Sequence, residues 1–101
     1  MSTMADIKID EKIKKQIAEP SKYKVIFLND NATPIEWVIE VLRTIFKHTQ
    51  GTAEKITLSI HNEGSGIAGV YSFEIAEQKV IEATTLTRNQ GFPLQIKMEK
   101  E

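Results

Sequence analysis

The chain has 101 residues, and its 41% hydrophobic and 27% charged residues are ordinary for one globular domain. Thirteen basic and fourteen acidic residues leave a net charge of -1, so nothing indicates a nucleic-acid-binding surface. The lack of cysteine excludes disulfides and thiolate chemistry. No apolar run approaches the ~18 residues that span a bilayer, and the N-terminus lacks the apolar segment of a signal peptide. We therefore expect a cytoplasmic protein without a membrane partner.

Residues 1–21 are interpreted as an N-terminal extension, and residues 22–101 as the core domain. Ile9, Ile13 and Ile17 recur every four residues, which gives a short helical stripe that Pro20 ends. An isolated helix of this length is marginal in water. We expect the extension to be flexible and able to fold against a partner.

The first two elements of the core are predicted to be a strand and a helix. Lys22 to Leu28 is dense in β-branched and aromatic residues and apolar on both faces, which indicates an inner strand. An apolar pattern of helical period runs from Pro34 to about Lys47. Thr33 and Glu36 fit the spacing of a capping box, so Thr33 is predicted to be the N-cap of this helix.

Gly51 is predicted to interrupt the helical pattern. A second helix is predicted from Thr52 to Asn62, with Thr52 as its N-cap. A weaker strand follows from Ser65 to Tyr71, in which Gly69 predicts a bulge or a close backbone approach.

The last two elements are predicted to be a third helix and a third strand. Ser72 caps the helix, which runs to about Asn89, and the strand spans Pro93 to Glu99. The helix residues expected to face the core are Phe73, Ala76, Val80, Ala83 and Leu86, and those expected to face outward are Glu74, Glu77 and Lys79. The order β-α-α-β-α-β predicts an α+β fold, a single small domain in which a three-stranded antiparallel sheet packs against three helices.

The loop that joins the first strand to the first helix holds Asn29, Asp30 and Asn31. A rigid loop with one acid and two amides, beside the apolar residues of a new helix, suits a small cation attached to an apolar group. The alternative is turn chemistry alone, because Asn and Asp favour turns for local reasons.

Catalytic and metal sites are not indicated. Ser59, His61 and Asp30 supply the residue types of a hydrolase, but no G-x-S-x-G elbow accompanies them and Ser59 lies within a short helix. His48 and His61 lack the spacing of metal ligands. A G-x-G-x-x-G string begins at Gly64, but it precedes and occupies a strand instead of following one. We predict a protein that is not an enzyme and holds no metal or cofactor.

Four segments resemble the ClpS family, the substrate adaptors of Clp proteases. The sequence from Phe27 to Val38, F-L-N-D-N-A-T-P-I-E-W-V, resembles the family's L-N-D-D-x-T-P-M-E-F-V. I-H-x-x-G from Ile60 and G-V-Y-x-x-E-x-A-x-x-K-V from Gly69 resemble V-H-x-x-G and G-V-F-x-x-E-x-A-x-x-K-V. A final P-L begins at Pro93. The motifs occur in the family's order and spacing without a gap.

ClpS proteins bind the N-terminal residue of a protein when it is Leu, Phe, Tyr or Trp, a signal called an N-degron, and pass that protein to a AAA+ unfoldase such as ClpA. The resemblance implies that this chain is a monomeric adaptor whose partners are N-degron-bearing proteins and the N-domain of a ClpA-like unfoldase. Two alternatives remain. One is a non-catalytic docking domain of ribosomal-stalk-like fold, and the other is a regulator that inhibits delivery.

The resemblance also implies roles for individual residues. The positions that match the family's α-amine site are Asn29, Asp30 and His61. The positions that match its side-chain pocket are Thr33, Ile35, Val38, Thr57, Ile60 and Leu94. The positions that match its unfoldase-binding surface are Glu74 and Lys79. The N-terminal extension corresponds to the flexible arm used in delivery.

Three residues depart from the family pattern. Asn31 replaces an Asp and removes one negative charge near the amine site, which is expected to lower affinity. Thr57 stands where many relatives have Met, and Ile35 replaces a flexible Met with a branched side chain that is stiff at χ1. We expect the last two changes to alter the ranking among N-terminal residues and to admit Ile or Val.

Overall fold

Six elements follow one another in the predicted order in the computed structural model, which describes residues 21–101. They are β1 Lys22–Leu28, α1 Ile35–Thr44, α2 Gln50–Glu63, β2 Ser65–Ser72, α3 Phe73–Asn89 and β3 Gln95–Lys100. The predicted N-terminal extension, except Ser21, lies outside these residues. No helix of this described part is long and apolar enough to cross a bilayer.

The sheet has the strand order β2-β1-β3, and both pairs of strands are antiparallel. β1 is central, which explains why both of its faces are apolar: Val25 and Phe27 have no exposed surface, and Ile26 between them is 8% exposed. The α+β class, the antiparallel sheet of three strands and the inner position of β1 are all confirmed.

A β-bulge interrupts the pairing of β1 with β2. Val25 lies opposite Gly69 but Ile26 lies opposite Ile67, so Ala68 has no partner of its own. A Cβ atom at Gly69 would collide with the ring of Tyr71. Both meanings predicted for Gly69, a bulge and a close approach, are therefore found at this position.

All six elements contribute buried apolar side chains to one core. The most completely buried large side chains are Phe27, Leu42, Leu94, Val25 and Val41. Ala76 and Ala83 of α3 have no exposed surface. Side chains this small let α3 approach the sheet closely.

The predicted start and end of α1 are wrong. Pro34 occupies the N-cap position and no side chain caps the helix. Thr33 instead donates its hydroxyl to Asp30, so the capping box does not form. The helix ends at Thr44, and Lys47 just beyond it has a φ of 60°, so this residue cannot extend a right-handed helix as predicted.

The start of α2 also differs from the prediction. Thr49 is the N-cap, and its hydroxyl accepts the N–H of Thr52 at 3.2 Å. Gly51 therefore lies inside the first turn of α2 and does not interrupt the helix. Thr52 is a helical residue and not the cap.

The buried face of α3 is rotated relative to the prediction. Ala76 and Ala83 are buried as expected and Val80 is half-buried, but Phe73 and Leu86 are 48% and 42% exposed. Thr87 takes the inner position, where its hydroxyl accepts the indole N–H of Trp37 at 3.0 Å. This bond satisfies a polar group that would otherwise be costly to bury.

Two further predicted details are corrected at the ends of these elements. Ser72 lies at the N-cap of α3, but its side chain makes no capping hydrogen bond. β3 begins at Gln95, so Pro93 and Leu94 precede the strand. Ile96 is buried and Met98 is half-buried.

Candidate functional site

A pocket opens where β1 ends and α1 begins, with α2 forming its opposite wall. Its volume is about 370 Å³, part of which is open to solvent. The lining residues are Leu28, Asn29, Asp30, Thr33, Ile35, Val38, Thr57, Ile60, His61 and Leu94. All nine residues predicted for the amine site and the side-chain pocket line this pocket, although their roles in binding remain predictions.

The floor of the pocket is apolar. Val38, Ile60 and Leu94 are between 1% and 6% exposed. Thr57 is 7% exposed, and its hydroxyl donates to the carbonyl of Ala53 at 2.8 Å. Because that hydroxyl is already bonded within α2, the floor suits an apolar side chain.

Leu94 lies in a loop between α3 and β3 that Arg88 fixes. The guanidinium of Arg88 donates to the carbonyl of Leu94 at 2.7 Å and to that of Phe92 at 3.0 Å. This role of Arg88 was not predicted from the sequence. The signal was available, since a basic residue in the last turn of a helix often donates to the carbonyls that follow, and Gly91 marks the turn.

The outer edge of the pocket is formed by Ile35, which is 56% exposed at the first position of α1. Two residues further on, still in the first turn, the Trp37 indole donates to the Thr87 hydroxyl of α3 and holds this end of α1 in place. Ile35 is therefore a stiff and largely exposed side chain at the edge of the pocket, on a helix end that is held in place.

The polar end of the pocket is built around the Asp30 carboxylate. Oδ1 accepts the N–H groups of Ala32 at 2.8 Å and Thr33 at 2.7 Å, and Oδ2 accepts the Thr33 hydroxyl at 2.8 Å. A carboxylate has about four lone-pair positions. Turn chemistry thus orders the loop, as the alternative interpretation proposed, and leaves Oδ2 with capacity for one more donor.

The charge on Asp30 is stabilised by its surroundings. Desolvation raises the pKa of this carboxyl, but the Thr33 hydroxyl, the two backbone N–H groups and the positive charge of Arg88 outweigh it, so the pKa lies below the ordinary value of 3.8. Asp30 is therefore an anion at neutral pH, which suits an ammonium group.

Asn29 and His61 complete the polar end from two elements. Asn29 is exposed, and its N–H donates to the carbonyl of Gly64 at 2.9 Å, which ties the loop after β1 to the end of α2. His61 is exposed in the last turn of α2. Ser59 donates to Glu63 at 3.2 Å and is not paired with His61. Within residues 21–101, no group of three or more His, Cys, Asp or Glu residues is placed to hold a metal ion.

The two residues predicted to contact the unfoldase lie on α3, and neither lines the pocket. Glu74 is exposed. Lys79 does not face outward as predicted: its ammonium donates to the carbonyl of Ile45 at 2.8 Å and lies 5.3 Å from the centre of the Tyr71 ring. The end of α1 supplies an acceptor there, which explains the inward turn. A contact of either residue with an unfoldase stays a prediction.

Comparisons with a family model, with known sequences and with solved structures all find similarity to ClpS proteins. The family model of the ATP-dependent Clp protease adaptor protein ClpS matches residues 18–97. The chain is 42% identical over 95 residues to the ATP-dependent Clp protease adapter proteins ClpS of Burkholderia mallei (strain SAVP1) and Burkholderia pseudomallei (strain 668), covering 94% of this chain and 91% of each relative. It is also similar to the structure of Agrobacterium tumefaciens ClpS2 bound to L-phenylalaninamide. That similarity has a TM-score of 0.79 at 40% identity, over 82% of this chain and 100% of that one.

Proposed function

The chain belongs to the ClpS family of Clp protease adaptor proteins, and we propose that it is an N-degron adaptor. In this proposal it binds the free N-terminus of a protein that begins with Leu, Phe, Tyr or Trp. It then delivers that protein to the N-domain of a ClpA-like AAA+ unfoldase. It acts as a cytoplasmic monomer and catalyses no reaction itself.

The observation that carries the proposal is the division of the pocket into an anionic end and an apolar floor. Asp30 supplies the negative charge, and Val38, Ile60 and Leu94 supply buried apolar surface. The ligand of the Agrobacterium structure, L-phenylalaninamide, has a free α-amine and a benzyl side chain joined to the same carbon. A protein that begins with Phe presents the same two groups, which supports the proposal.

The expected affinity follows from these two groups. Each hydrogen bond from an ammonium contributes about 1.5–3 kcal/mol. Burial of a Leu or Phe side chain adds about 1.5–3 kcal/mol. After the cost of association, a total of about -8 kcal/mol corresponds to micromolar binding.

The anionic end restricts recognition to a free terminus. An acetylated N-terminus has no charge and only one N–H, so it leaves Asp30 desolvated without a cation. An internal Leu or Phe also lacks the ammonium group, and the part of its chain that precedes it would have to pass beside Asp30. The ligand is therefore a terminus and not an internal sequence.

The choice among N-terminal residues is proposed to depend on Ile35 and Thr57. Thr57 is shorter than the Met of many relatives, and Ile35 is stiffer than the Met it replaces. A wider floor with a rigid edge accepts a side chain branched at Cβ. Peptides that begin with Ile or Val are therefore expected to bind. Asn31 lowers the negative charge near the amine site and is expected to lower the affinity for every peptide.

The test is fluorescence anisotropy with labelled ten-residue peptides that differ only at residue one: Leu, Phe, Ile, Arg and acetyl-Leu. Micromolar binding of Leu and Phe, without binding of Arg or acetyl-Leu, supports an N-degron pocket. Absence of binding to every peptide rejects it and favours a docking domain. Delivery is tested separately, by the rate at which a ClpA-like unfoldase and its peptidase degrade a fluorescent protein that begins with Leu. A slower rate on adding this chain would identify an inhibitor instead.

A further inference from the structure

The connection between α1 and α2, residues 45–49, lies at the opposite end of these helices from the candidate pocket. The pocket takes side chains from the first turn of α1 and from the second half of α2, namely Ile35, Val38, Thr57, Ile60 and His61. The two helices thus form a hairpin whose open end holds the pocket and whose closed end is this connection. α2 has 14 residues and spans about 21 Å, so a rotation of about 5° at the connection moves its far end by about 2 Å.

The backbone of the connection is strained at Lys47. In the part of the chain that the structure describes, Lys47 is the one residue other than glycine with a positive φ, which is 60°. A side chain disfavours this left-handed conformation, and a residue keeps it only where the surrounding contacts enforce it. Other elements must therefore hold the connection in place.

His48 ties the connection to β2. Its Nε2 lies 2.5 Å from the carbonyl oxygen of Ala68, the residue that the β-bulge leaves without a partner on β1. Because a carbonyl oxygen only accepts, Nε2 carries the proton of the ring and donates it to this bond. The backbone N–H of His48 donates to the carbonyl of Leu42 in the last turn of α1 at 3.1 Å. One residue thus bonds to α1 through its backbone and to β2 through its side chain.

Lys79 holds the same connection from α3. Its ammonium donates to the carbonyl of Ile45 at 2.8 Å and lies 5.7 Å from the centre of the Phe46 ring. Ile45 and Phe46 are themselves buried, at 4% and 5% exposed, so the start of the connection is fixed in the core. The closed end of the hairpin is therefore held from β2 on one side and from α3 on another.

We propose that His48 is a positioning residue of the candidate pocket: together with Lys79 it fixes the strained connection, and thereby the separation of α1 and α2 at the open end. His48 does not line the pocket, so it acts without touching the ligand. Walls held at one separation discriminate between side chains by size, whereas walls whose separation varies also accept larger ones. This consequence for substrate choice rests on the proposed function, whereas the consequence for the two helices does not.

The experiment measures the separation of the helices directly. The chain has no cysteine, so nitroxide labels can be attached through Glu36→Cys and Asn62→Cys, two exposed positions at the open end that do not line the pocket. Pulsed electron–electron double resonance then gives the distribution of the distance between the labels without any peptide. His48→Ala removes the donor, and His48→Gln supplies an amide N–H in its place. Thr44→Val is the matched control, because it removes a hydrogen bond to the Glu40 carbonyl that stays within α1.

In His48→Ala the distance distribution is expected to be at least about twice as wide as in the wild type, whereas His48→Gln and Thr44→Val keep the wild-type width. If His48→Ala does not fold, His48→Asn, whose side chain is shorter than that of Gln, takes its place. Equal widths in the wild type and the variant without the donor overturn the proposal, whether or not peptides bind.

The effect on substrate choice is measured on the unlabelled variants by anisotropy, well below their unfolding temperatures. The ratio of the affinity for a Leu-initial peptide to that for a Trp-initial peptide should fall at least about three-fold in His48→Ala and stay within about two-fold of wild type in His48→Gln and Thr44→Val. A wider distribution with an unchanged ratio would reject the effect on substrate choice. If the width responds to His48 but no Leu peptide binds, the proposed function fails while the role of His48 in holding the helices stands.

Discussion

The hydroxyl of Thr33 donates to the Asp30 carboxylate at 2.8 Å, while the Thr33 backbone N–H donates to the other oxygen of the same group. One residue thus holds both carboxylate oxygens and fixes the direction in which the charge faces. The loop is rigid before any ligand arrives, so less conformational freedom is lost on binding.

Asp30→Asn is expected to weaken the binding of Leu-initial peptides strongly while leaving the fold intact. The amide oxygen can still accept the N–H groups of Ala32 and Thr33, but the negative charge is gone. We expect a loss of at least ten-fold in affinity, or about 1.5–3 kcal/mol. Anisotropy gives the affinity, and thermal unfolding gives the stability. Wild-type affinity in this variant would show that the amine is bound elsewhere.

Thr33→Val is expected to raise the pKa of Asp30 toward its ordinary value, because the Thr33 hydroxyl donates to the carboxylate and stabilises its charged form. The isosteric change keeps the backbone N–H bond and should weaken peptide binding only a few-fold. NMR titration of the Asp30 carboxyl measures the pKa directly. An unchanged pKa would contradict the role given to the hydroxyl.

The depressed pKa of Asp30 also predicts a pH dependence of stability. A carboxyl whose folded pKa lies below its unfolded value stabilises the protein above the unfolded pKa, and this contribution is lost as pH falls through the folded pKa. The difference in the free energy of unfolding between wild type and Asp30→Asn should therefore be present at pH 7 and shrink below about pH 4. Urea unfolding at several pH values tests this. A difference in the free energy of unfolding that grows as the pH falls would contradict this prediction.

Ile35→Met and Thr57→Met are expected to narrow the range of first residues. A flexible Met at the edge and a longer side chain at the floor should reduce binding of Ile- and Val-initial peptides by at least about five-fold, while Leu binding is retained because Leu is not branched at Cβ. Anisotropy with Leu, Ile and Val peptides measures the ratio. Equal ratios in the wild type and both variants would mean that neither residue sets this preference.

Thr84→Val is expected to stabilise the protein. The Thr84 hydroxyl is buried without a hydrogen-bond partner among the described residues, and the change removes it while keeping the shape. A gain of about 1 kcal/mol in the free energy of unfolding is expected. Thr57→Val serves as the contrast, because its hydroxyl is bonded to Ala53 and its loss should bring no such gain.

The strongly periodic parts of the chain were predictable from local sequence. The presence and type of β1 and α1 were predicted correctly, because β1 pairs on both sides and α1 buries a wide apolar stripe. The start of α1 was not, because Asp30 competes successfully for the Thr33 hydroxyl. Which group wins such a competition depends on loop geometry, and the residue types at that spacing allow either result.

The orientation of α3 was missed for a different reason. Apolar periodicity placed Phe73 and Leu86 inward, but the bond from Trp37 to Thr87 joins residues 50 positions apart and turns a polar residue toward the core. Lys79 was missed in the same way, since its acceptor at Ile45 is 34 positions away. Pairings of this length leave no trace in a local pattern. The pocket residues were assigned through family resemblance, which records such distant pairings.

Leu94 reaches the pocket floor from the segment that immediately precedes the last strand, whereas Asn29 and Asp30 follow the first strand. The chain must therefore complete its final turn before the floor exists. A partly synthesised chain that ends at Gly91 has the anionic loop but lacks Leu94 and β3. The apolar floor of the pocket therefore forms only after synthesis has passed Leu94, so the binding proposed for this pocket cannot begin before that segment has folded.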